Sequence, residues 1–393
     1  MTGGWQQPTR VLHGTAEFTG WAARQASGTP TVLLVDARLA GSAIASVVAG
    51  ALPVHEVIPL DGPGALDRVV ELADRLRQGP ARLVAAVGGG SVLDQAKLAT
   101  ALAGDPGVLP RLTAPQRSGL VLLPGEAARA LPLLAVPTTI GTGAEVSRVA
   151  CLHTAQGKRL VAGRSLSPEL ALLDPLATAG LPAELVVEGA LEALFRVAGV
   201  YAGDLRDSPV EDALALTVAA QLLVLGYRAA ADGPDDQVRG ALARLSALTH
   251  SDWLQLDRDP FALRGWYLAN ELSTALGVRK MTAVAALLPP LFRRTAAGDR
   301  RLGSAERLAR LWEGLRSAAP RPLPADPPAG IAALLEHWGV EHRPVADPAE
   351  LDAVARRTVR AWGAGLPALG GLTLGDVRAV LGDAVRAPGP GAH

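Results

Sequence analysis

Residues 82–103 read RLVAAVGGGSVLDQAKLATALA and predict a strand, a glycine turn and a helix in immediate succession. Residues 82–87 predict the strand, and all of them after Arg82 are apolar. The glycines at 88–90 let the main chain approach a diphosphate closely, and Ser91 begins a helix whose first N–H groups point at such an anion. The alternative to a phosphate site is that the glycines form only a tight turn that requires positive φ. The strand–glycine–helix order favours the phosphate site, although the spacing is not GxGxxG.

The same alternation of strands and helices continues over the first 175 residues. Strands are predicted at 31–36, 55–60 and 131–136, and an amphipathic helix at 66–78. Strands that alternate with helices of this length predict βαβ units and a parallel sheet. We therefore expect residues 1–175 to form an α/β dinucleotide-binding domain with a Rossmann-like parallel sheet.

Beyond residue 175 the strand-like runs end and amphipathic helical segments follow, which predicts an all-α domain over 176–393. The sequences Ser208-Pro209-Val210-Glu211 and Asp347-Pro348-Ala349-Glu350 both have the pattern of a capped helix start. A cleft between two such domains is where a site is expected. Three stretches are predicted to lack regular structure: 104–130, 318–330 and the tail 387–393.

Composition excludes several classes of protein. The 393 residues include 38 basic and 38 acidic side chains, so the net charge is zero and a nucleic-acid partner is not expected. No stretch approaches the ~18 uncharged apolar residues of a membrane span, and the N-terminus does not have the pattern of a signal peptide. Cys151 is the only cysteine, which excludes intrachain disulfides and thiolate clusters. We expect a soluble cytoplasmic protein with no membrane partner; a homodimer is one open outcome.

Two further segments lie at predicted strand ends. Asp36 closes the strand at 31–36, where its carboxylate can accept hydrogen bonds from an adenosine ribose and would repel a 2′-phosphate, which favours NAD over NADP. A helix N-cap is the equally weighted alternative for Asp36. Residues 137–143 (PTTIGTG) follow the strand at 131–136 and bring hydroxyl groups to the same edge of the sheet.

Together these segments resemble the iron-containing (group III) alcohol dehydrogenase family. The matching pieces occur in family order: GGGSVLDQAK at 88–97, VPTTIGTGAEVSRVA at 136–150, Gly157-Lys158, LALLDP at 170–175, GALEAL at 189–194 and NELSTALG at 270–277. The resemblance implies the fold shared by dehydroquinate synthase and iron alcohol dehydrogenases, and NAD as the cofactor. It also implies the cofactor-binding residues Asp36, Gly88, Gly89, Gly90, Ser91, Thr138, Thr139, Thr142 and Lys158.

The resemblance assigns roles within that set. The glycines and Ser91 would hold the pyrophosphate, Asp36 the adenosine ribose, and the three threonines would line the cofactor cleft. Lys158 would reach the ribose nearest the nicotinamide, over which the helical domain would close.

The chain departs from the family at the metal site. Family members hold Fe²⁺ or Zn²⁺ with one Asp and three His, and the corresponding positions here, allowing for a shortened loop before the last, are Glu192, Arg196, Asn270 and Lys280. Arginine and lysine are cations without a free lone pair near neutral pH, so this set is not a plausible metal site. We predict no catalytic metal.

The substituted residues have chemistry of their own, and we predict Lys280, Arg196, Glu192 and Asn270 as catalytic residues. A cation can polarise a carbonyl or alcohol oxygen, and Lys280, if buried, could have a lowered pKa and transfer a proton. Maleylacetate reductases, which belong to the family, are described as working without metal. The structural alternative is that Glu192 and Arg196 form an ordinary i,i+4 ion pair and that Lys280 neutralises Glu192.

The leading hypothesis is therefore a metal-independent, NAD-dependent oxidoreductase that transfers hydride between nicotinamide and an alcohol or ketone carbon of an anionic small-molecule or peptide substrate. Two alternatives stay open. One is a daptide-type RiPP tailoring dehydrogenase that oxidises the side chain of a C-terminal threonine, in natural-product biosynthesis. The other is a non-catalytic pseudoenzyme that only binds the dinucleotide.

Overall fold

The computed structural model describes residues 8–115, 117–125, 129, 131–154, 157–255, 258–259, 261–363 and 365–388. These form two compact units: an α/β unit of the described residues in 8–182 together with 235–250, and a helical unit of the described residues in 183–234 and 251–388. The division differs from the predicted boundary after residue 175, because the segment 235–250 returns to the α/β unit. There Arg239 donates hydrogen bonds to the main-chain oxygens of Thr178 and Leu181, the second at 3.0 Å.

Within the described ranges, nine strands lie in two sheets, both in the α/β unit. Their bounds are β1 Arg10–His13, β2 Thr31–Asp36, β3 Val54–Leu60, β4 Leu83–Gly88, β5 Leu120–Leu122, β6 Leu133–Pro137, β7 Val149–Thr154, β8 Gly157–Ala162 and β9 Leu170–Leu173. Six strands form a parallel sheet in the order β1-β9-β6-β4-β2-β3. A small sheet, β5-β8-β7, pairs β7 and β8 as an antiparallel hairpin.

Fourteen α-helices occur in the described residues. They are α1 Gly14–Trp21, α2 Ala43–Ala51, α3 Leu66–Gln78, α4 Gly90–Gly104, α5 Val108–Thr113, α6 Ala183–Gly203, α7 Pro209–Asp232, α8 Asp236–Leu248, α9 Arg264–Leu276, α10 Lys280–Ala296, α11 Ala305–Ala318, α12 Pro327–His337, α13 Pro348–Thr358 and α14 Leu374–Ala384. Helices α1–α5 and α8 belong to the α/β unit and the others to the helical unit. The predicted fold class, a parallel-sheet α/β domain followed by helices, is confirmed.

The sheet is buried on both faces, which explains its continuous apolar strands. In β2, Val32 and Leu34 pack into one core while Leu33 and Val35 pack into the other. Alternate residues of a strand point to opposite faces, so both sets must be apolar when helices cover both sides. This packing fixes the carboxyl ends of β2, β4 and β6 at one edge of the sheet.

Three details differ from the sequence predictions. Residues 104–130 are not wholly irregular, since α5 and β5 lie within them, and the Pro-rich stretch 318–330 ends in the first turn of α12. Of the predicted tail at 387–393, residues 389–393 lie outside the described residues.

Helix α7 is long and apolar enough to cross a membrane by length and composition, so the prediction that no stretch approaches a membrane span is wrong. Half of its most apolar window is buried in the structure, as in a core helix.

Candidate functional site

The glycine turn lies at the carboxyl end of β4. Gly88 is the last residue of the strand, Gly89 is the N-cap and Gly90 is the first residue of α4. A β-carbon on Gly88 would lie 2.6 Å from Cβ of Val92, so no larger residue fits there without a shift. The φ of Gly89 is −73°, an ordinary value, so the turn does not need positive φ at this residue. The glycines instead allow close approach of the main chain, which a phosphate cradle requires.

The neighbouring strand β6 brings the threonine loop to the same edge. Gly88 pairs with Pro137 in the parallel ladder, and the N–H of Thr138 donates a hydrogen bond to Gly88 O at 3.0 Å. Thr138 is buried. Open α/β sheets bind their ligands outside the carboxyl ends of the strands, so the glycine turn and the threonine loop lie together where a ligand is expected.

Two threonine side chains pack against the glycines. A β-carbon on Gly89 would lie 3.1 Å from Cγ2 of Thr139, and one on Gly90 would lie 3.3 Å from Cγ2 of Thr142. The Thr139 hydroxyl oxygen is buried and has no hydrogen-bond partner among the described residues. Leaving a buried hydroxyl unpaired costs ~1–3 kcal/mol, so this group is suited to a bound ligand that supplies the missing hydrogen bond.

His250, which follows α8, supports the far end of the threonine loop. Its Nε2 lies 3.1 Å from the main-chain oxygen of Thr142. Gly143 has a φ of +58°, and a β-carbon there would lie 2.0 Å from Cδ2 of His250, so both the conformation and the contact require glycine. His250 was not predicted from the sequence, because 108 positions separate it from Thr142.

Lys97 supports the same loop from inside the core. It is fully buried, and its ammonium donates hydrogen bonds to Ala144 O at 2.8 Å, Val149 O at 2.7 Å and Ser147 Oγ at 3.1 Å. Burial lowers the pKa of Lys97, while the nearby Asp94 carboxylate favours the charged form. Three acceptors on one loop give this lysine a structural role.

A cavity of about 430 Å³ collects three of the predicted cofactor residues. It is lined by Asp36, Arg38, Asp61, Gly62, Pro63, Ser91, His153 and Lys158. Asp36, Ser91 and Lys158 were predicted from the sequence. Asp61 was missed, although it directly follows β3 and the rule about carboxyl ends of strands could have found it. Acidic and basic side chains face the same space, as a site for a polar dinucleotide requires.

Of the two interpretations of Asp36, the structure shows the helix cap, and ribose recognition stays a prediction. Its Oδ1 accepts a hydrogen bond from the N–H of Arg38 at 3.0 Å, so it caps the short 3₁₀ helix Ala37–Leu39. The same side chain lines the cavity. Capping does not exclude ribose recognition, because a carboxylate can accept several hydrogen bonds.

Lys158 lies opposite His153 in the β7–β8 hairpin. Burial, and then the charge of Lys158, lower the pKa of His153 below its usual range. Lys158 and Asp36 line one cavity, although the family resemblance places them at the two different riboses of the dinucleotide. Those separate ribose assignments stay predictions.

The residues present fit a dinucleotide. Gly89 and Gly90 let the main chain approach Thr139 and Thr142 more closely than a residue with a β-carbon could, and the Thr139 hydroxyl beside Gly89 has no partner in the described part of the chain. The first N–H groups of a helix have no intrahelical acceptor, and α4 presents them at this position. The α/β unit thus combines an anion site with carboxylates suited to ribose hydroxyls.

The helical unit contains the four predicted catalytic residues. Glu188, Glu192 and Arg196 follow one another at intervals of four on α6, so they lie on one face of that helix. Arg196 Nη2 lies 3.5 Å from Glu192 Oε1, which is the predicted i,i+4 ion pair. Arg279, the N-cap of α10, pairs with Glu188 at 2.7 Å. Burial raises the pKa of Glu188 despite this arginine.

Lys280, the first residue of α10, lies over the ring of Trp266 on α9. Its Nζ is 3.5 Å from the ring centroid, and Cζ of Arg196 is 5.8 Å from the same centroid. Lys280 is half-buried, so the burial on which its predicted proton transfer was made conditional is only partial. Asn270 is buried one turn after Trp266, and its main-chain oxygen accepts a hydrogen bond from Thr274 Oγ1 at 2.7 Å. Trp266 was missed, since nothing in the sequence relates it to α6 and α10.

These side chains do not fit a divalent metal. An ammonium and a guanidinium have no free lone pair, and Arg196 is already paired with Glu192. In the part of the chain that the structure describes, no group of three or more His, Cys, Asp or Glu side chains could hold a metal ion. The four substituted positions therefore do not provide the ligands that a divalent iron ion requires.

Comparison with known proteins identifies relatives. The family model described as "Iron-containing alcohol dehydrogenase" matches residues 8–175. A phosphonoacetaldehyde reductase of Streptomyces viridochromogenes is 36% identical over 194 residues, which cover 48% of each chain. The probable alcohol dehydrogenase EutG of Escherichia coli is 34% identical over 166 residues, 42% of this chain and 40% of the relative. The chain thus matches about half of these curated relatives' own length, or less.

Solved structures share the fold over nearly the whole chain. The NADH-dependent butanol dehydrogenase A of Thermotoga maritima superposes with a TM-score of 0.79 at 18% identity and covers 98% of both chains. The aldehyde reductase YqhD of E. coli has a TM-score of 0.80 at 19% identity and covers 98% of this chain and 100% of its own. The likeness therefore includes the helical unit, which the family model does not reach.

Proposed function

We propose that the protein is an oxidoreductase that transfers hydride between a nicotinamide dinucleotide and an alcohol or carbonyl carbon, because the family model for iron-containing alcohol dehydrogenases matches residues 8–175 and the whole chain shares the fold of solved structures. The observation that carries the proposal is the glycine cradle beside the unpaired Thr139 hydroxyl, with Asp36, Ser91 and Lys158 lining one cavity in the same unit. A cytoplasmic location belongs to the same proposal.

In this proposal the α/β unit binds the dinucleotide. The N-terminus of α4 and Thr139 hold the pyrophosphate, while Asp36 accepts hydrogen bonds from the adenosine ribose. The Asp36 carboxylate disfavours a 2′-phosphate and so favours NAD over NADP. Arg38 lines the same cavity and partly offsets that preference, so we expect a measurable but weaker affinity for NADPH.

The chemistry is proposed to proceed without a metal. The bound nicotinamide supplies or accepts the hydride. During reduction, the substrate carbonyl oxygen gains negative charge and takes a proton from the Lys280 ammonium, which solvent then reprotonates. Arg196 adds positive charge nearby but shares it with Glu192. Lys280 is therefore the proposed proton donor, and Arg196 contributes electrostatically.

The substrate is proposed to contain an anionic group. Arg196, Arg279 and Lys280 carry three positive charges against the two negative charges of Glu192 and Glu188, so this group of side chains has a net positive charge. The relative named phosphonoacetaldehyde reductase is named for an anionic aldehyde. The anionic group belongs either to a small molecule or to the C-terminus of a peptide, and the metal-independent chemistry is the same for both.

The test is a panel of aldehydes and ketones in matched pairs with and without a carboxylate, assayed by NADH absorbance. We expect turnover to favour the carboxylated member of each pair.

Lys280→Ala should lower kcat by ~10²-fold with nearly unchanged affinity for NADH. Lys280→Arg is the matched control, because it keeps the charge but does not donate a proton at neutral pH. Wild-type kcat in Lys280→Ala would refute the role of this lysine.

A further inference from the structure

Two cations lie over one aromatic ring in the helical unit. Lys280 Nζ lies 3.5 Å from the centroid of Trp266, and Arg196 Cζ lies 5.8 Å from it. Both distances are within the ~6 Å at which a ring face attracts a cation, and tryptophan is the strongest of the aromatic partners. Lys280 is therefore in close contact with the ring, and Arg196 is at the limit of the interaction.

The ring itself is fixed by its neighbours. Phe195, which precedes Arg196 on α6, stacks on Trp266 with centroids 5.8 Å apart and ring planes 19° from parallel. Phe195 is buried, and Trp266 is half-buried on α9. The stacked pair joins α6 and α9, so the orientation of the indole does not depend on Lys280.

Partial burial alone does not hold Lys280 in one conformation. A lysine side chain has four rotatable bonds, and this one is only half-buried, so packing alone does not fix its ammonium. It is also the first residue of α10, where the positive end of the helix dipole disfavours a cation. The negative face of the indole offsets that effect and restricts where the ammonium can lie.

We propose that Trp266 is a positioning residue for Lys280, holding its ammonium in place for proton transfer to the substrate oxygen. The inference rests on the proposed function for the reaction itself, but the contact can be tested without any turnover. Trp266 does not touch the reacting atoms in this account; it acts through the lysine.

The first test uses the small number of lysines. Lys97, Lys158 and Lys280 are the only three, so labelling lysine with ¹³C at the ε-carbon gives three resolvable NMR signals. In the wild type we expect the Lys280 signal, assigned by Lys280→Arg, to be displaced upfield by the indole ring current. Trp266→Leu should abolish that displacement, while the Lys97 and Lys158 signals stay in place as internal controls. An undisplaced Lys280 signal in the wild type overturns the proposal.

The second test measures the effect on turnover. Trp266→Leu should lower kcat by about 2- to 30-fold, the range expected for loss of a cation–π contact, with the KM for NADH unchanged. Trp266→Phe keeps a ring face and should recover part of kcat, and it replaces the leucine variant if that variant does not fold. Equal kcat in all three proteins, with the ring-current shift present in the wild type, overturns the positioning role and leaves the proposed function standing. No turnover in the wild type refutes the proposed function and the role together.

Discussion

Variants of the Glu192–Arg196 pair can show whether these two residues stabilise the fold or take part in catalysis. We consider Arg196→Met, Glu192→Gln and the double variant, all of which keep side-chain volume nearly constant. Arg196→Met leaves the Glu192 carboxylate without this guanidinium, and Glu192→Gln leaves a guanidinium that cannot lose its charge. The double variant removes both charges and leaves neither unpaired.

The expected magnitude follows from the distance and the burial. The charged atoms are 3.5 Å apart, and the side chains are 9% and 12% exposed. At an effective dielectric constant of about 20, the attraction is about 5 kcal/mol before desolvation is counted. Removing one partner of a buried pair costs ~3–5 kcal/mol, whereas replacing both by neutral side chains is often neutral or stabilising. We therefore expect each single variant to lose ~3 kcal/mol or more and the double variant to recover most of it.

The assay is a double-mutant cycle from urea unfolding followed by circular dichroism, with m-values compared among the four proteins. Single variants within ~0.5 kcal/mol of the wild type, or a double variant equal to the sum of the singles, would refute the argument from burial. The same four proteins report on function. If the role of Arg196 is structural, the double variant keeps wild-type kcat; if Arg196 stabilises charge on the substrate oxygen, kcat falls although the fold is restored.

Two other predictions concern the α/β unit. Thr139→Val should stabilise the ligand-free protein by ~1 kcal/mol, because it removes an unpaired buried hydroxyl, and should weaken NADH binding about tenfold. Calorimetric melting should therefore show a gain in stability, and fluorescence titration a loss of NADH affinity. An unchanged NADH affinity would contradict a role of Thr139 at the phosphate. Lys158→Met should raise the pKa of His153 toward its ordinary value without fully restoring it, because burial is the larger cause and remains; an NMR titration of the imidazole signals measures this. Since the pKa of His153 is lower in the folded chain, its contribution to stability is complete above the unfolded pKa near 6.5 and is lost as the pH falls through the folded value.

Features set by short-range patterns were predictable from the sequence. The bounds of β2 and α3 agree with the predictions at every residue, since an apolar run and a clear helical periodicity decide them. The helix start at Asp347 has the expected capping box, with reciprocal hydrogen bonds to Glu350. The glycine turn between β4 and α4 also formed where the pattern placed it.

Features set by tertiary contacts were not predictable. The similar start at Ser208 has no side-chain cap; instead the N–H of Ser208 donates to the carboxylate of Asp212, which Arg307 also binds at 2.6 Å. Neither Trp266 nor His250 belongs to a local motif, because each acts on residues from other elements. The return of segment 235–250 to the α/β unit likewise depends on hydrogen bonds from Arg239.

The most direct measurement is a fluorescence titration of the purified protein with NADH and with NADPH, after its metal content has been measured and after dialysis against EDTA. The account predicts that NADH binds to protein without stoichiometric metal, that it binds more tightly than NADPH, and that added Fe²⁺ or Zn²⁺ does not change the turnover of a substrate from the carbonyl panel. Failure of both nucleotides to bind would contradict the account and favour the pseudoenzyme, and activity that returned only with Fe²⁺ or Zn²⁺ would refute the metal-independent site at Glu192, Arg196, Asn270 and Lys280.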